Sequence, residues 1–234
     1  MQHTVTNKIV VVGFPHCGTT ILRKLIGNSP EVHDIQHETL TIPNIDIKEE
    51  NAVIKFPCDD IDSWLGNYTD FKVVAIIKSP FDVFGSINRR FNGQGSVGHT
   101  IPDWDKYAKS FIKHTEKPVD NLYGVRYEDL FTNSYEQVQN IYKFLGLQFN
   151  EDIITTKRDV YMSPCVDIPL EQPQDCTNGV RHAQYRTWQT NQLFKNKTGE
   201  SREYLSDEQE EIISSLETTK KLKYYVDTRV INKT

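Results

Sequence analysis

The chain of 234 residues has no long apolar run, few cysteines and no surplus of basic charge, and each shortage closes a class of function. Its longest apolar stretch near the start is Ile-Val-Val-Val-Gly at 9–13, too short to cross a bilayer or to form the core of a secretory signal, and no basic cluster precedes it. The expectation is a cytoplasmic protein without a membrane segment. The cysteines are Cys17, Cys58, Cys165 and Cys176, irregularly spaced, which in a reducing compartment argues for free thiols over disulfides or a four-thiolate zinc site. Lys and Arg number 27 against 32 Asp and Glu, a net charge of −5 that repels phosphate backbones and argues against a nucleic-acid partner.

What is present suits a packed core: 37% hydrophobic, 11% aromatic and 25% charged residues, at a length that one α/β domain spanning 1–234 accommodates. The β-branched run at 8–13 reads as a strand buried on both faces, and 19–26 as a helix with Ile21, Leu22, Leu25 and Ile26 on one side. Further strands are expected at 52–56, 72–77 and 121–126. A helix over 80–91 has Pro80 in its first turn, where a missing N–H costs nothing. Ser134-Tyr-Glu-Gln137 reads as a capping box opening a helix with Val138, Ile141, Tyr142 and Leu145, and Ser206-Asp-Glu-Gln209 as another, opening a last helix. Strands alternating with helices imply a three-layer α/β/α domain around a central parallel sheet, with its binding site at the carboxyl ends of the strands. Residues 159–202, rich in Pro, Gln, Asn and Thr, read as a substrate-side flap holding Arg181, Arg186 and Trp188, and 227–234 as a frayed tail.

Between the first strand and helix, Gly13-Phe-Pro-His-Cys-Gly18-Thr19-Thr20 sets two glycines five apart. Backbone amides at the helix start then converge on one point with the positive end of the helix dipole behind them, a site for an anion. The spacing is that of the nucleotide-binding P-loop G-x-x-x-x-G-K-[ST], but Thr19 stands where the lysine for β- and γ-phosphates belongs, which counts against a kinase or NTPase. An ordinary glycine-containing βα turn is the alternative.

Residues 13–26, followed by Ser29-Pro-Glu-Val32, resemble the phosphosulfate-binding loop and helix of PAPS-dependent sulfotransferases, typically G-x-P-[KR]-S-G-T-T. The resemblance continues in Lys55-Phe-Pro57, in Ile77-Lys-Ser-Pro-Phe-Asp-Val-Phe-Gly-Ser86, in Val125-Arg-Tyr-Glu-Asp-Leu130 and in Phe144-Leu-Gly146, covering about residues 8–149, with some likeness to tyrosylprotein-type members. It implies a P-loop-like sulfotransferase fold that binds 3′-phosphoadenosine 5′-phosphosulfate (PAPS), needs no metal, and passes the sulfuryl group in line to a hydroxyl or amine of a small-molecule or glycan acceptor, releasing 3′,5′-adenosine bisphosphate (PAP). It also implies the roles. Pro15, His16, Cys17, Gly18, Thr19 and Thr20 would hold the 5′-phosphosulfate, Lys78 and Ser86 the 3′-phosphate, and Tyr127 would lie near the adenine.

Several residues depart from that family pattern. His16 stands where the loop usually carries Lys or Arg for the bridging oxygen, Lys78 where an arginine is usual, and Cys17 where serine is common. Lys55 resembles the lysine that faces the transferring group, the alternative being a strand-end lysine reaching solvent. Glu38 is placed as the base on the acceptor, with His37 competing and His33 nearby. Arg89 and Arg90 would reach the cofactor or decorate a solvated face. The departures at His16 and Lys78 keep open a catalytically weak nucleotide-binding protein, and less so a small-molecule kinase; a homodimer is also left open.

Overall fold

Ile9, Val10, Val11 and Val12 are all fully buried in the computed structural model, which describes residues 7–38, 51–57, 60–91, 99–155, 167–173 and 179–223. Their side chains alternate. Ile9 and Val11 join one apolar cluster and Val10 and Val12 another, so the strand is covered on both faces, as an all-parallel sheet requires. This strand, β1 (Asn7–Gly13), is followed by α1 (Thr19–Gly27), β2 (His33–Glu38), β3 (Asn51–Pro57), α2 (Ile61–Asn67) and β4 (Phe71–Ile77). Next come α3 (Pro80–Phe91), α4 (Ile101–Glu116), β5 (Leu122–Arg126), α5 (Glu136–Leu145), α6 (Asp152–Thr155), α7 (Gly179–Thr190), α8 (Asp207–Ser215) and α9 (Glu217–Lys221).

The five strands run parallel in the order β2-β3-β1-β4-β5. After β1 the chain passes to the edge of the sheet as β2, returns as β3 between β2 and β1, then crosses to the other side of β1 for β4 and β5. That reversal opens a crevice at the carboxyl end of β1, bounded by the ends of β3 and β4. Leu22, Leu25 and Ile26 of α1 and Val138, Ile141 and Leu145 of α5 fill one face of the sheet. Trp64 of α2, Phe81 and Phe84 of α3, and Trp104, Tyr107 and Phe111 of α4 fill the other. The helix α4 also steadies the crevice: Tyr107 donates its hydroxyl to the Ile76 carbonyl at 3.0 Å, and Trp104 its indole N–H to the Lys78 carbonyl at 3.3 Å.

The structure corrects the expected elements in four places. The polar segment 33–38 is an edge strand among the described residues, paired with β3 in a register that shifts between Asp34 and Glu38. Residues 101–116, for which the sequence reading proposed no element, form α4, which Thr100 and Asp103 cap reciprocally. Ser134 does not cap α5: Asn133, Ser134 and Tyr135 all take positive φ, the helix starts at Glu136, and the Gln137 side chain accepts from the Tyr123 hydroxyl instead. Within 159–202, residues 179–190 are helical rather than structureless, while 156–166, 174–178 and the expected tail lie outside the described residues. The box at Ser206 and Gln209 forms as expected. Among the described residues no helix is long and apolar enough to cross a membrane.

Candidate active site

A cavity of about 400 Å³ fills the crevice, and the first loop forms its floor. Pro15, His16, Gly18, Thr19 and Thr20 line it from that loop, Lys55 and Pro57 from the end of β3, Lys78 from the end of β4, Ser86 from α3, and Tyr127 from the turn after β5. Of the loop residues expected there, Cys17 is the exception. Its N–H donates to the Phe14 carbonyl at 3.0 Å and its side chain is fully buried. Burial pushes that thiol up to about 12, the reverse of an activated nucleophile. Cys17 should therefore resist iodoacetamide at pH 8 in the folded protein and react once denaturant is added; peptide mapping that finds it alkylated under native conditions would refute its packing.

The loop's shape depends on two backbone conformations. Gly18 sits at φ 94, and a Cβ added there would lie 2.6 Å from the Tyr127 ring, so both the left-handed backbone and the close approach exclude a side chain. His16 sits at φ 67, a region histidine enters more readily than most residues. Its Nδ1 lies 3.2 Å from Ser86 Oγ, so the two corners expected to hold opposite ends of the donor touch each other.

Lys55 is 2% exposed, which removes the solvent-reaching alternative. Alternation along β3 explains it. Val53 faces α1, Ile54 the opposite side, and Lys55 turns back toward α1, where its Nζ donates to Thr20 Oγ1 at 3.0 Å. The backbone of Glu38 at the end of β2 pairs in register with Lys55, so the segment expected to carry the base runs beside it. The side chains of 36–38, those of His37 and Glu38 among them, lie outside the described residues.

Tyr127 is nearly fully buried and supports its neighbours. Lys78 Nζ stands 4.4 Å over its ring, and its hydroxyl donates to the Lys195 carbonyl at 3.4 Å and accepts from the Lys197 N–H at 3.3 Å. Burial raises the phenol to about 12, so it stays neutral throughout the physiological range. The same post-helical segment is clamped from α3. Asp82 accepts from the Gly199 N–H at 2.8 Å, and Gly85 lies so close to Ser201 that a Cβ would meet its carbonyl oxygen at 1.9 Å. Glu128, half-buried with its carboxyl held above the usual range mainly by desolvation, accepts from the Ser79 N–H at 2.8 Å and so fixes the chain just after Lys78.

Residues that sequence reasoning did not assign complete the wall. Among the described residues, Lys24, Lys195 and Lys197 join Lys55, Lys78, Arg89, Arg90 and Arg186 around the cavity, against the carboxylate of Glu200. In a chain of net charge −5, that is a local reversal of sign. The cations strain one another: Lys197 titrates below the usual lysine range through burial first, with Arg89, Lys195 and Lys78 adding repulsion that Glu200 opposes. The Lys-x-Lys-x-Gly run at 195–199 is the signal that would have drawn attention to the segment. Such a cavity, with backbone donors at a helix start and cations around it, is built for a ligand carrying several negative charges.

Comparison with known proteins agrees. A search of characterised proteins by sequence gives no match. Solved structures of similar fold include mouse sulfotransferase SULT7A1 complexed with PAP, 16% identical over 94% of this chain and 90% of that one, at a TM-score of 0.57. The sulfotransferase domain from the curacin biosynthetic pathway is 14% identical over 95% of this chain and 99% of that one, at 0.51. Retinol dehydratase in complex with androsterone and inactive cofactor PAP is 12% identical over 95% and 82%, at 0.53. By sequence, the family model described as the sulfotransferase domain matches residues 58–229, well over half of the chain. The chain belongs to the sulfotransferase family.

Proposed function

We propose that this cavity binds PAPS and that the protein transfers its sulfuryl group to a hydroxyl or amine of a small-molecule or glycan acceptor. The observation that carries the reading is the pairing of a P-loop-like amide cradle with a cationic wall: the fold offers one anion seat at Gly18, Thr19 and Thr20, and more positive charge around it than one phosphate needs. The residues present fit the donor. Gly18 gives the loop a left-handed turn that a side chain would prevent by striking the Tyr127 ring, and Lys78 and Ser86 stand on the α3 side to receive a 3′-phosphate, the group that distinguishes this donor from ATP. The retinol dehydratase and mouse structures, both with PAP, support that choice.

When bound, the donor supplies an activated sulfuryl group, whose bridge to the 5′-phosphate breaks as the acceptor bonds to sulfur. The chain's residues prepare for this. The amides at the start of α1 point a fixed positive potential at the 5′ end, and they need no reorganisation to do so. Lys55 sets an ammonium beside Thr20, in a nearly dry site where it is worth more than in water. Lys55 and Arg186 both donate to Thr20 Oγ1, filling its two lone pairs, so that hydroxyl can meet an anion only as a donor. A base on the segment ending at Glu38, that residue or His37, would take the acceptor's proton.

Calorimetric titration tests the reading. PAP should bind tightly and ATP·Mg²⁺ weakly; a preference for ATP overturns it. Lys78→Ala and Ser86→Ala should each weaken PAP by about tenfold or more, the cost of one lost hydrogen bond to a charged group, while sparing adenosine 5′-phosphate. Equal losses for the two nucleotides would remove both residues from the 3′-phosphate.

A further inference from the structure

We propose that Arg186 supplies the permanent positive charge that the first loop lacks, acting at the 5′ end of the donor together with Lys55. The inference rests on the reading of the cavity as a PAPS site and goes beyond it by assigning a residue of α7 to the transfer step.

The geometry begins at Thr20. Arg186 donates from Nη2 to Thr20 Oγ1 at 2.6 Å, while Lys55 Nζ donates to the same oxygen at 3.0 Å. A guanidinium from α7 and an ammonium from β3, 131 residues apart in sequence, therefore converge on one hydroxyl at the start of α1. Two cations meeting at one hydroxyl of the first loop concentrate positive potential at the point where the 5′ end of the donor would lie.

Arg186 is also held in place. Its Nη1 donates to Gln189 Oε1 at 2.7 Å, one turn along the same helix. The carboxyl end of α7 is secured by Lys24, whose Nζ donates to the carbonyls of Thr190 and Gln192. Tyr185 and Thr187, on either side of Arg186, are buried, so the helix is seated and the guanidinium emerges from a packed element. Preorganisation of this sort distinguishes a group aimed at developing charge from a surface arginine.

The need for it is visible at His16. An imidazole carries a charge that depends on pH near neutrality, whereas a guanidinium is charged at any working pH. His16 moreover faces Ser86 Oγ at 3.2 Å, on the α3 side of the site. In the transfer, the acceptor's oxygen or nitrogen bonds to sulfur, the S–O bridge breaks with its electron pair remaining on the 5′-phosphate oxygen, and the acceptor's proton passes to the base. The charge that grows is on that phosphate oxygen, and Arg186 and Lys55 flank the hydroxyl expected to hold the phosphate.

Orthovanadate, which expands from four- to five-coordinate when held between two oxygens and so mimics the group in flight, gives a test that needs no known acceptor. Its affinity is measured in the presence of saturating PAP for the wild-type chain, Arg186→Ala, Arg186→Lys and Gln189→Ala, alongside the affinity of PAP alone. Arg186→Ala should weaken vanadate about 100-fold and PAP less than fivefold, with added guanidinium restoring part of the loss; Arg186→Lys and Gln189→Ala should fall between. Since PAP binding reports an intact site, vanadate affinity within threefold of wild type in Arg186→Ala overturns the inference. Equal losses of PAP and vanadate also overturn it, by making Arg186 a ground-state ligand or a prop for the helix. A wild-type chain that fails to bind PAP overturns the donor assignment itself, a result distinct from either.

Discussion

Gly18→Ala should abolish PAP binding, or weaken it at least 100-fold, and also lower the melting temperature. The expectation combines two penalties. An L-residue at φ 94 leaves its favoured regions, and its Cβ would stand 2.6 Å from the Tyr127 ring. Left-handed strain and overpacking together cost about 2–5 kcal/mol. The ring has little room to yield, being fixed by its hydroxyl contacts to the 195–197 segment and covered by Lys78. Relief must therefore come from the loop itself, and a displacement of about 1 Å there is enough to cost two orders of magnitude in a preorganised site. Gly66 is the control. It lies in α2 with nothing near its absent Cβ, so Gly66→Ala should stabilise the protein by about 0.5–1 kcal/mol and leave PAP affinity alone. Thermal unfolding and calorimetry on the pair separate the two positions, and a Gly18→Ala protein that binds PAP normally would mean that the cradle is not where the nucleotide sits.

The contrast between those glycines shows which parts of the molecule could be read from the chain. Gly18 announced itself through its spacing from Gly13 and its place between an apolar run and an apolar helix face. β1, β3 and β4 were legible for the same reason: buried parallel strands need β-branched residues on both faces, and Val10 to Val12 or Val73 to Ile77 admit few other readings. α3 began at Pro80 as expected. β2 was opaque because His-Asp-Ile-Gln-His-Glu has no strand pattern; it is held at the edge by pairing with β3, which no local rule reveals. α4 could have been found, since Thr100 and Asp103 form a capping box and Trp104, Tyr107, Ala108 and Phe111 share a face. α7 could not. Its residues are mostly polar, and burial of Tyr185, Thr187 and Thr190 together with the Lys24 contacts at its end supply what its own sequence lacks. The site divides likewise: the loop, Lys55, Lys78 and Ser86 follow strand ends and motif spacing, whereas Lys24, Lys195 and Lys197 reach the cavity only through tertiary packing. The box at Ser134 failed because a turn of three residues with positive φ precedes the helix, so that Tyr135 takes the capping position and the serine lies one residue too early.

Lys55→Met should lower turnover by about 10²–10³-fold, the usual loss when one preorganised donor to developing charge is removed, with little change in PAP affinity. Methionine keeps the length of the side chain and most of its volume, so the variant tests the charge rather than a cavity. Stability should hold or rise, because an ammonium that is 2% exposed is costly to bury and an apolar replacement of similar shape removes that cost. The measurement is release of labelled sulfate from labelled PAPS to water, the slow reaction that proceeds without an acceptor, followed beside thermal unfolding and PAP titration. A rate equal to wild type would transfer the role to His16 or Arg186. A rate lost together with PAP binding would make Lys55 a ligand of the ground state. Only a lost rate with retained binding assigns its charge to the transition state, and loss of the ammonium should then act on Thr20 as well: one of its lone pairs is vacated, so its hydroxyl is held by Arg186 alone and is free to rotate away from the anion. Combining Lys55→Met with Thr20→Val tests that coupling, the double variant being expected to lose distinctly less than the product of the two single losses.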